Sequence, residues 1–381
     1  MSTPRPHATG RRRQSARRAI AFLLFLGASM ARPDDAKTED VASVPGTVLP
    51  EGIASFGAAA ADGWLYIYGG HVGRTHSHSI DNLSRSFRRV DLLTQTIWED
   101  LPARVPAQSP ALVALDGRVY RIGGLTAKNR IGEDEDLESL AVFERYDPIS
   151  RRWEELPPLP EPRSSHDAAV LDGKIFVAGG WTLSSSEKTW LETAWKIDPN
   201  AARPKWEAVP GPRVPRRAAA LASAHGKLWL FGGMTRDGEL SKAVEVYDPE
   251  SKTWTDGPEI LGPGFGVAAI GARDALFVSG MDGKVLRLDL EKNAWIEAGA
   301  LVFPRFFHRL VATPAGDLLA VGGAARGGHL RVTETLRFGA QSRSPSVSRF
   351  TLPFPGEAKS RQGIFLHGTT LFVAGGNNSL G

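Results

Sequence analysis

The chain has 381 residues, 42% of them hydrophobic, with 41 glycines, 26 prolines and no cysteine. That is enough to bury a large core, and it excludes disulfides, cysteine-held metal and thiol catalysis. The formal charge of +4 does not point to nucleic acid: six arginines and no acid stand in the first 31 residues, and the remainder carries 40 basic against 42 acidic residues, a near-neutral body without a basic face.

In chain order, Arg5, Arg11, Arg12, Arg13, Arg17 and Arg18 precede an apolar run from Ala19 to Leu26 and then small residues through Ser29-Met30-Ala31. Positive segment, apolar run and small-residue cleavage point are the parts of an export signal, and the run is shorter than the roughly 20 residues that span a bilayer. The expected organisation is a signal peptide over 1–31, a linker over 32–42 and one domain over 43–381. The protein is then exported to a periplasmic, cell-surface or extracellular location, without a membrane span once the signal is removed.

From there the chain repeats itself. The best-kept copy runs from His225 to Trp254, with a tight turn at His225-Gly226, an alternating run through Leu228, Trp229, Leu230 and Phe231, and a glycine pair at Gly232-Gly233. A second alternating run over Val244, Glu245, Val246 and Tyr247 leads to a turn at Asp248-Pro249 and a third run at Trp254. Period two means strands. Glycine pairs or near pairs recur at Gly69-Gly70, Gly123-Gly124, Gly179-Gly180, Ser279-Gly280, Gly322-Gly323 and Gly375-Gly376, giving seven units. After five of the glycine pairs come an aspartate and a tryptophan: Asp91 and Trp98, Asp147 and Trp153, Asp198 and Trp206, Asp248 and Trp254, Asp289 and Trp295. From each tryptophan to the second glycine of the next unit the distance is 26 to 28 residues, whereas from that glycine to the next aspartate it falls from 21 or 23 to 9. Length variation therefore sits in one loop per unit, and equivalent loops of a repeat emerge on one face, usually the binding face. The fixed spacing puts Phe350 where a sixth tryptophan is due. It also makes Ser43 to Pro50 the outer strand of a unit whose inner strands are the last in the chain, which closes a ring between the N- and C-terminal strands and removes free sheet edges.

The double glycines, the turns before them (Asp116-Gly117, Asp172-Gly173, His225-Gly226), the pairs Tyr146-Asp147 and Tyr247-Asp248, and the tryptophans resemble those of kelch-repeat β-propellers. The resemblance covers about 43–381 and departs from the pattern at Ser279, between Gly323 and Phe350, and at the end of the chain. It implies an all-β propeller of six to seven blades, with glycine letting adjacent blades approach and tryptophan filling the gap between them. It also implies an exported module that binds a protein or a glycan through its long-loop face, as a monomer and without a cofactor. Other kelch propellers are copper radical oxidases similar to galactose oxidase, which need a cysteine-linked tyrosine; that chemistry is excluded here. The alternative is a sugar-active enzyme resembling the bacterial periplasmic sialic-acid mutarotase, with arginine on the sugar carboxylate and His166 or a loop carboxylate moving the proton.

Several candidate site residues follow. Arg163, Arg216 and Arg305 each stand ten residues after a tryptophan, and Arg361 stands eleven after Phe350. They either line a channel mouth and bind an anion or brace neighbouring blades. Trp181 and Trp190, in the third long loop, are hydrophobic plugs or stacking platforms. His166 and His308 each follow an arginine by three residues and are general bases or hydrogen-bonded core histidines. His71, with His76 and His78 in the first long loop, offers metal-ligand types but no carboxylate to orient them, so a solvated loop and no metal are expected. The acidic run Glu133 to Asp136 lacks a calcium-loop pattern and reads as a solvated tip.

Overall fold

The computed structural model describes residues 42–95, 97–185, 187–338, 363–367 and 370–374. The expected export signal, nearly all of the expected linker, Phe350, Arg361 and the last glycine pair lie outside these residues. Among those described, seven four-stranded antiparallel sheets occur, together with two two-stranded ribbons and one short 3₁₀ turn at Ile80–Asn82. No helix among them is long and apolar enough to cross a membrane.

Six of the sheets are blades, spanning 57–101, 111–155, 167–209, 220–257, 268–300 and 309–337. Each starts on an inner strand and steps outward. The inner strands Gly57–Ala61, Ala111–Leu115, Asp167–Leu171, Ala220–Ala224, Ala268–Ala272 and Arg309–Ala312 follow one another around an axis, the last lying beside the first. In the first five blades two-residue turns with both residues at positive φ join the first strand to the second, as at Asp116-Gly117 (51° and 71°) and His225-Gly226 (53° and 69°). This geometry suits a right-twisted hairpin.

The closing strand is where the spacing put it, but its partner differs. Ala42–Val48 pairs antiparallel with Val332–Arg337 and is the outer strand of the sixth blade. The last strands described, Gly363–His367 and Thr370–Ala374, pair with each other and not with the N-terminal strand. The described ring thus has six blades, and the closing strand completes the unit that looked degenerate. That unit lacks a tryptophan because its outer strand is borrowed from the other end of the chain.

Three sets of hydrogen bonds repeat at the junctions between blades. Midway out, the second glycine of a pair donates its amide to the incoming loop of the next blade: Gly70 to Ala107 O, Gly124 to Arg163 O, Gly180 to Arg216 O, Gly233 to Gly264 O and Gly323 to Ile53 O, all at 2.7–2.9 Å. At the outer edge, each tryptophan Nε1 donates to the segment leaving the preceding blade: Trp98 to Val48 O (3.0 Å), Trp153 to Pro102 O (2.7 Å), Trp206 to Pro157 O (2.9 Å), Trp254 to Pro210 O (2.7 Å) and Trp295 to Pro258 O (2.8 Å). Nearest the axis, residues at positive φ hand the chain around: Ser109 N to Ser55 O, Ala218 N to Ser165 O, Gly266 N to Ala218 O, Phe307 N to Gly266 O and Ser55 N to Phe307 O. The junction that closes the ring, between blades six and one, carries all three.

Glycine is required at the pair because the first member has positive φ and a side chain there would collide with the next blade's carbonyl, Ala107 O at Gly69 and Gly264 O at Gly232. The junction after Ser279-Gly280 has no such amide bond; Gly280 is not at positive φ and a Cβ there has more room. Replacing Gly232 by alanine should therefore lower the unfolding free energy by about 2–4 kcal/mol, whereas Gly280→Ala should cost about 1 kcal/mol or less. Chemical denaturation of the two variants measures the difference.

Candidate functional site

The strand order places the loops after the glycine pairs and the loops entering each blade on one face, with the tight turns on the other. Most of the predicted site residues on that loop face turn out to belong to the frame. Arg163 is fully buried; it donates to Gly179 O (2.8 Å) and Thr193 O (3.0 Å) of its own blade and pairs with Glu161 (3.2 Å). Arg216 is buried against Ala243 O (3.3 Å) and Glu245 (3.3 Å). Arg305 is buried on Phe303 O, Gly322 O, Val332 O and Glu334. Each arginine ties an incoming loop to its own blade, while the backbone carbonyls of Arg163 and Arg216 receive the preceding blade's glycine amide. Burial lowers the Arg163 pKa to about 10, and the Glu161 charge opposes that shift. None of the three lines a channel mouth; burial and a carboxylate partner for each commit them to bracing.

His166 and His308 are likewise interior. The His308 ring bonds Ser279 Oγ of the preceding blade at 2.8 Å. Ser279, which departs from the glycine pattern, thus gains a side-chain link at the one junction without the glycine amide bond. A Cβ on Gly123 would strike the His166 ring, which fills the equivalent gap three junctions away. Burial first, then the nearby charges of Arg163 and Arg309 for His166 and of Arg305 and Arg309 for His308, hold both imidazoles well below their usual range. Both are neutral at neutral pH, and their rings border a small cavity near the axis.

The channel itself holds about 360 Å³ and is lined by the six inner strands, mainly alanine, valine, leucine and isoleucine. Arg309 on the sixth blade crosses the axis to Asp167 on the third (2.8 Å) and donates to Phe56 O (3.0 Å); the other Asp167 oxygen accepts the Leu221 amide (3.0 Å). This ion pair separates the channel from a small cavity of about 50 Å³ beneath the backbone ring. Arg309 immediately follows His308 in the sequence, and only the ring geometry reveals that it faces Asp167.

The loop face carries a second construction that the repeat pattern did not disclose. The seventh four-stranded sheet is not a blade: Leu125–Ala127 and Leu137–Ser139 of the second long loop join Trp181–Ser184 and Glu187–Trp190 of the third. Ser139 Oγ locks it by bonding Ser164 Oγ (2.8 Å) and the Leu183 amide (2.9 Å). At the end rooted in the blade, Trp190 and Trp181 pack edge-on, centroids 5.1 Å apart, and Trp190 Nε1 donates to Met234 O (3.3 Å). Arg217 lies over Trp181 at 4.3 Å and faces Phe265 at 5.7 Å; Phe265 packs on Phe307 at 5.0 Å, and Phe307 on Phe306 at 4.9 Å. These half-buried rings form one aromatic arc over blades three to six. Leu240, Leu261, Val302 and Phe303, exposed by 39% to 53%, stand in the same loops.

The histidines of the first long loop are divided. His71 is buried, with Nδ1 3.3 Å from His329 Nε2 of the sixth blade and Nε2 on Ser77 O (2.9 Å); His78 packs on it edge-on, and His76 is exposed. Among the described residues no group of three or more histidine and carboxylate side chains is disposed to hold a metal ion. In the second long loop the acidic run is exposed except for half-buried Asp136, with Glu133 capping the Arg130 amide at 2.6 Å.

Comparison with known proteins agrees with this geometry. A family model described as the KLHDC2/KLHL20/DRC7 Kelch-repeats domain matches residues 55–280, more than half of the chain. The chain belongs to the kelch-repeat family. Kelch-like protein 25 of Xenopus tropicalis is 27% identical over 59% of this chain and 38% of its own length, and the Homo sapiens protein of that name is 29% identical over the same shares. Alpha-scruin of Limulus polyphemus is 26% identical over 54% of this chain and 23% of its own. The kelch chain therefore spans well under half the length of these relatives. The solved structure of YjhT superposes with a TM-score of 0.59 at 16% identity, covering 86% of this chain and 99% of that one; it shares the fold.

The buried histidines set an acid limit on stability. The unfolded chain takes up protons near pH 6.5 while folded His166 and His308 do not, so stability is whole above that pH and declines as pH falls below it. Each histidine should contribute a slope of up to about 1.4 kcal/mol per pH unit. Denaturant unfolding between pH 7 and 5 should show this decline, and His308→Gln should flatten it by one histidine's share.

Proposed function

We propose that the protein is an exported binding module that recognises a protein partner on its loop face. Kelch-repeat propellers typically bind proteins, and the aromatic arc running from Trp190 through Trp181 and Phe265 to Phe307 and Phe306 is the observation that carries the reading. Large, rigid, half-buried rings with exposed leucine, valine and phenylalanine beside them are the composition of a recognition surface, since they bury area at low entropic cost. The second and third long loops support it by being folded into a sheet of their own, which fixes Trp181 and Trp190 before any partner arrives. Export rests on the N-terminal pattern of arginines, apolar run and small residues.

Glycan binding would use the same rings, but the rings lie in an arc over four blades and not around a cleft of sugar size, which favours a protein. A mutarotase-like reaction needs a base and an anion-binding arginine open to substrate; Arg305 and His166 are both buried, and Arg305 is taken up by Glu334 and three backbone carbonyls. Trp181→Ala and Phe306→Ala should each weaken partner capture by tenfold or more, about 1.4 kcal/mol or above, while leaving the melting temperature within a few degrees. Ile149→Asp, in an exposed turn on the opposite face, should change neither. Affinity capture with folded variants, read by mass spectrometry, tests this: partners lost equally with Ile149→Asp, or retained by both loop-face variants, would refute the loop-face assignment.

A further inference from the structure

We infer that Arg217 is the anion-recognition point of this surface and that the partner inserts a single side-chain carboxylate there, flanked by apolar residues. The inference deepens the loop-face reading and rests on it. Arginines elsewhere in the structure are mostly occupied: Arg121, Arg163, Arg216, Arg305 and Arg309 each face a carboxylate within 3.3 Å. Arg217 is the neighbour of frame residue Arg216, and what separates them is the carboxylate: Arg216 pairs with Glu245. Half-buried between Trp181 and Phe265, it has no carboxylate within ion-pair distance among the described residues. Its Nη2 contacts only Met234 Sδ, at 3.0 Å, and its buried Nε has no partner.

That arrangement is costly without a ligand. Stacking on Trp181 offsets part of the lost hydration, but the N–H groups are left with a thioether as their acceptor, and thioether sulfur is a weak one. Burial, with no compensating charge beside it, holds its pKa below the usual guanidinium range. The rings on its faces leave the in-plane N–H groups as the only route to an anion, the geometry that suits a planar carboxylate. Methionine is flexible enough to give way, and a carboxylate oxygen displacing the sulfur replaces a poor acceptor with a charged one. One monoanion balances one guanidinium; a phosphate dianion would bring a second charge into an apolar setting with no further cation stacked there. Phe265, Phe306 and Phe307 then receive the residues beside the acid.

The test uses the full chain and a synthetic library of N-acetylated, C-amidated hexapeptides randomised with apolar residues around one fixed aspartate, and the same library with asparagine. Blocked ends leave the side chain as the only carboxylate. Aspartate peptides should be enriched about tenfold or more over asparagine ones. The enrichment should disappear with Arg217→Met, survive in part with Arg217→Lys, and shrink as salt is raised. Equal enrichment of the two libraries, no enrichment of either, or enrichment unchanged in Arg217→Met overturns the inference, as does tight binding of free glucuronate with no peptide selected. If Arg217→Met retains the captured partner that Trp181→Ala loses, the loop face stands and the carboxylate falls. If neither variant changes capture, the loop-face reading itself fails.

Discussion

The constraint on which the fold depends is the hydrogen bond from a glycine amide to the incoming loop of the next blade. It forces that blade's carbonyl into the space where a side chain would stand, so the pair must be glycine and must take left-handed backbone angles. Everything near the axis follows from that approach. The incoming loop, once pinned, turns through a residue at positive φ, and those residues bond to one another around the mouth. The buried arginine of the same loop reaches back to its own glycine pair, as Arg163 does to Gly179 and Arg305 to Gly322, so that one short segment couples two blades. Stability is thereby spread over repeated nearest-neighbour contacts, the usual economy of repeat proteins. The Ser279-Gly280 junction shows how the pattern can be broken: the amide bond is absent and a histidine from the next blade bonds the serine hydroxyl.

With the axis crossed by the Asp167–Arg309 pair and the frame arginines each paired with a carboxylate, the interior has little freedom left for function. The channel is walled by small and aliphatic side chains, the two histidines beside the axis are buried and neutral, and Arg309 and Asp167 neutralise one another. Variation is confined to the loops, and there the chain has invested residues in a second sheet whose end displays two tryptophans. The neighbouring loops are shorter and supply phenylalanines from the segments entering blades five and six. The arc is thus assembled from two sources, long loops after the glycine pairs and short loops before the inner strands, and the rigid ring brings them together.

Much of the ring was legible in the sequence because its constraints are local and periodic. Spacing alone located the glycine junctions, the tryptophans and an N-terminal closing strand. It misassigned the unit that strand completes, since the last glycine pair suggested a seventh blade and pairing partners at opposite ends of a chain leave no periodic trace. The site was less legible. Arg163, Arg216 and Arg305 stood out because they recur, and recurrence in a repeat protein marks the frame; Arg217 occurs once, beside Arg216, and only side-chain direction separates their roles. Trp181 and Trp190 were visible as large rings in a long loop, but Phe265, Phe306 and Phe307 join them only through the ring's curvature, and the sheet that carries the tryptophans pairs strands from two different loops. What distinguishes a binding arginine here is the lack of a partner, a property of three-dimensional surroundings and not of spacing.

The most direct measurement is site-specific photo-crosslinking in the cells that make the protein, with a photoreactive phenylalanine at Phe306 on the loop face or at Leu290 on the turn face. Both positions are accessible, Leu290 being 49% exposed and Phe306 half-buried. The account predicts a discrete adduct from position 306 that disappears when Arg217→Met is added, and none from position 290. A discrete adduct from 290 alone, or the same adduct from both positions regardless of Arg217, would contradict it.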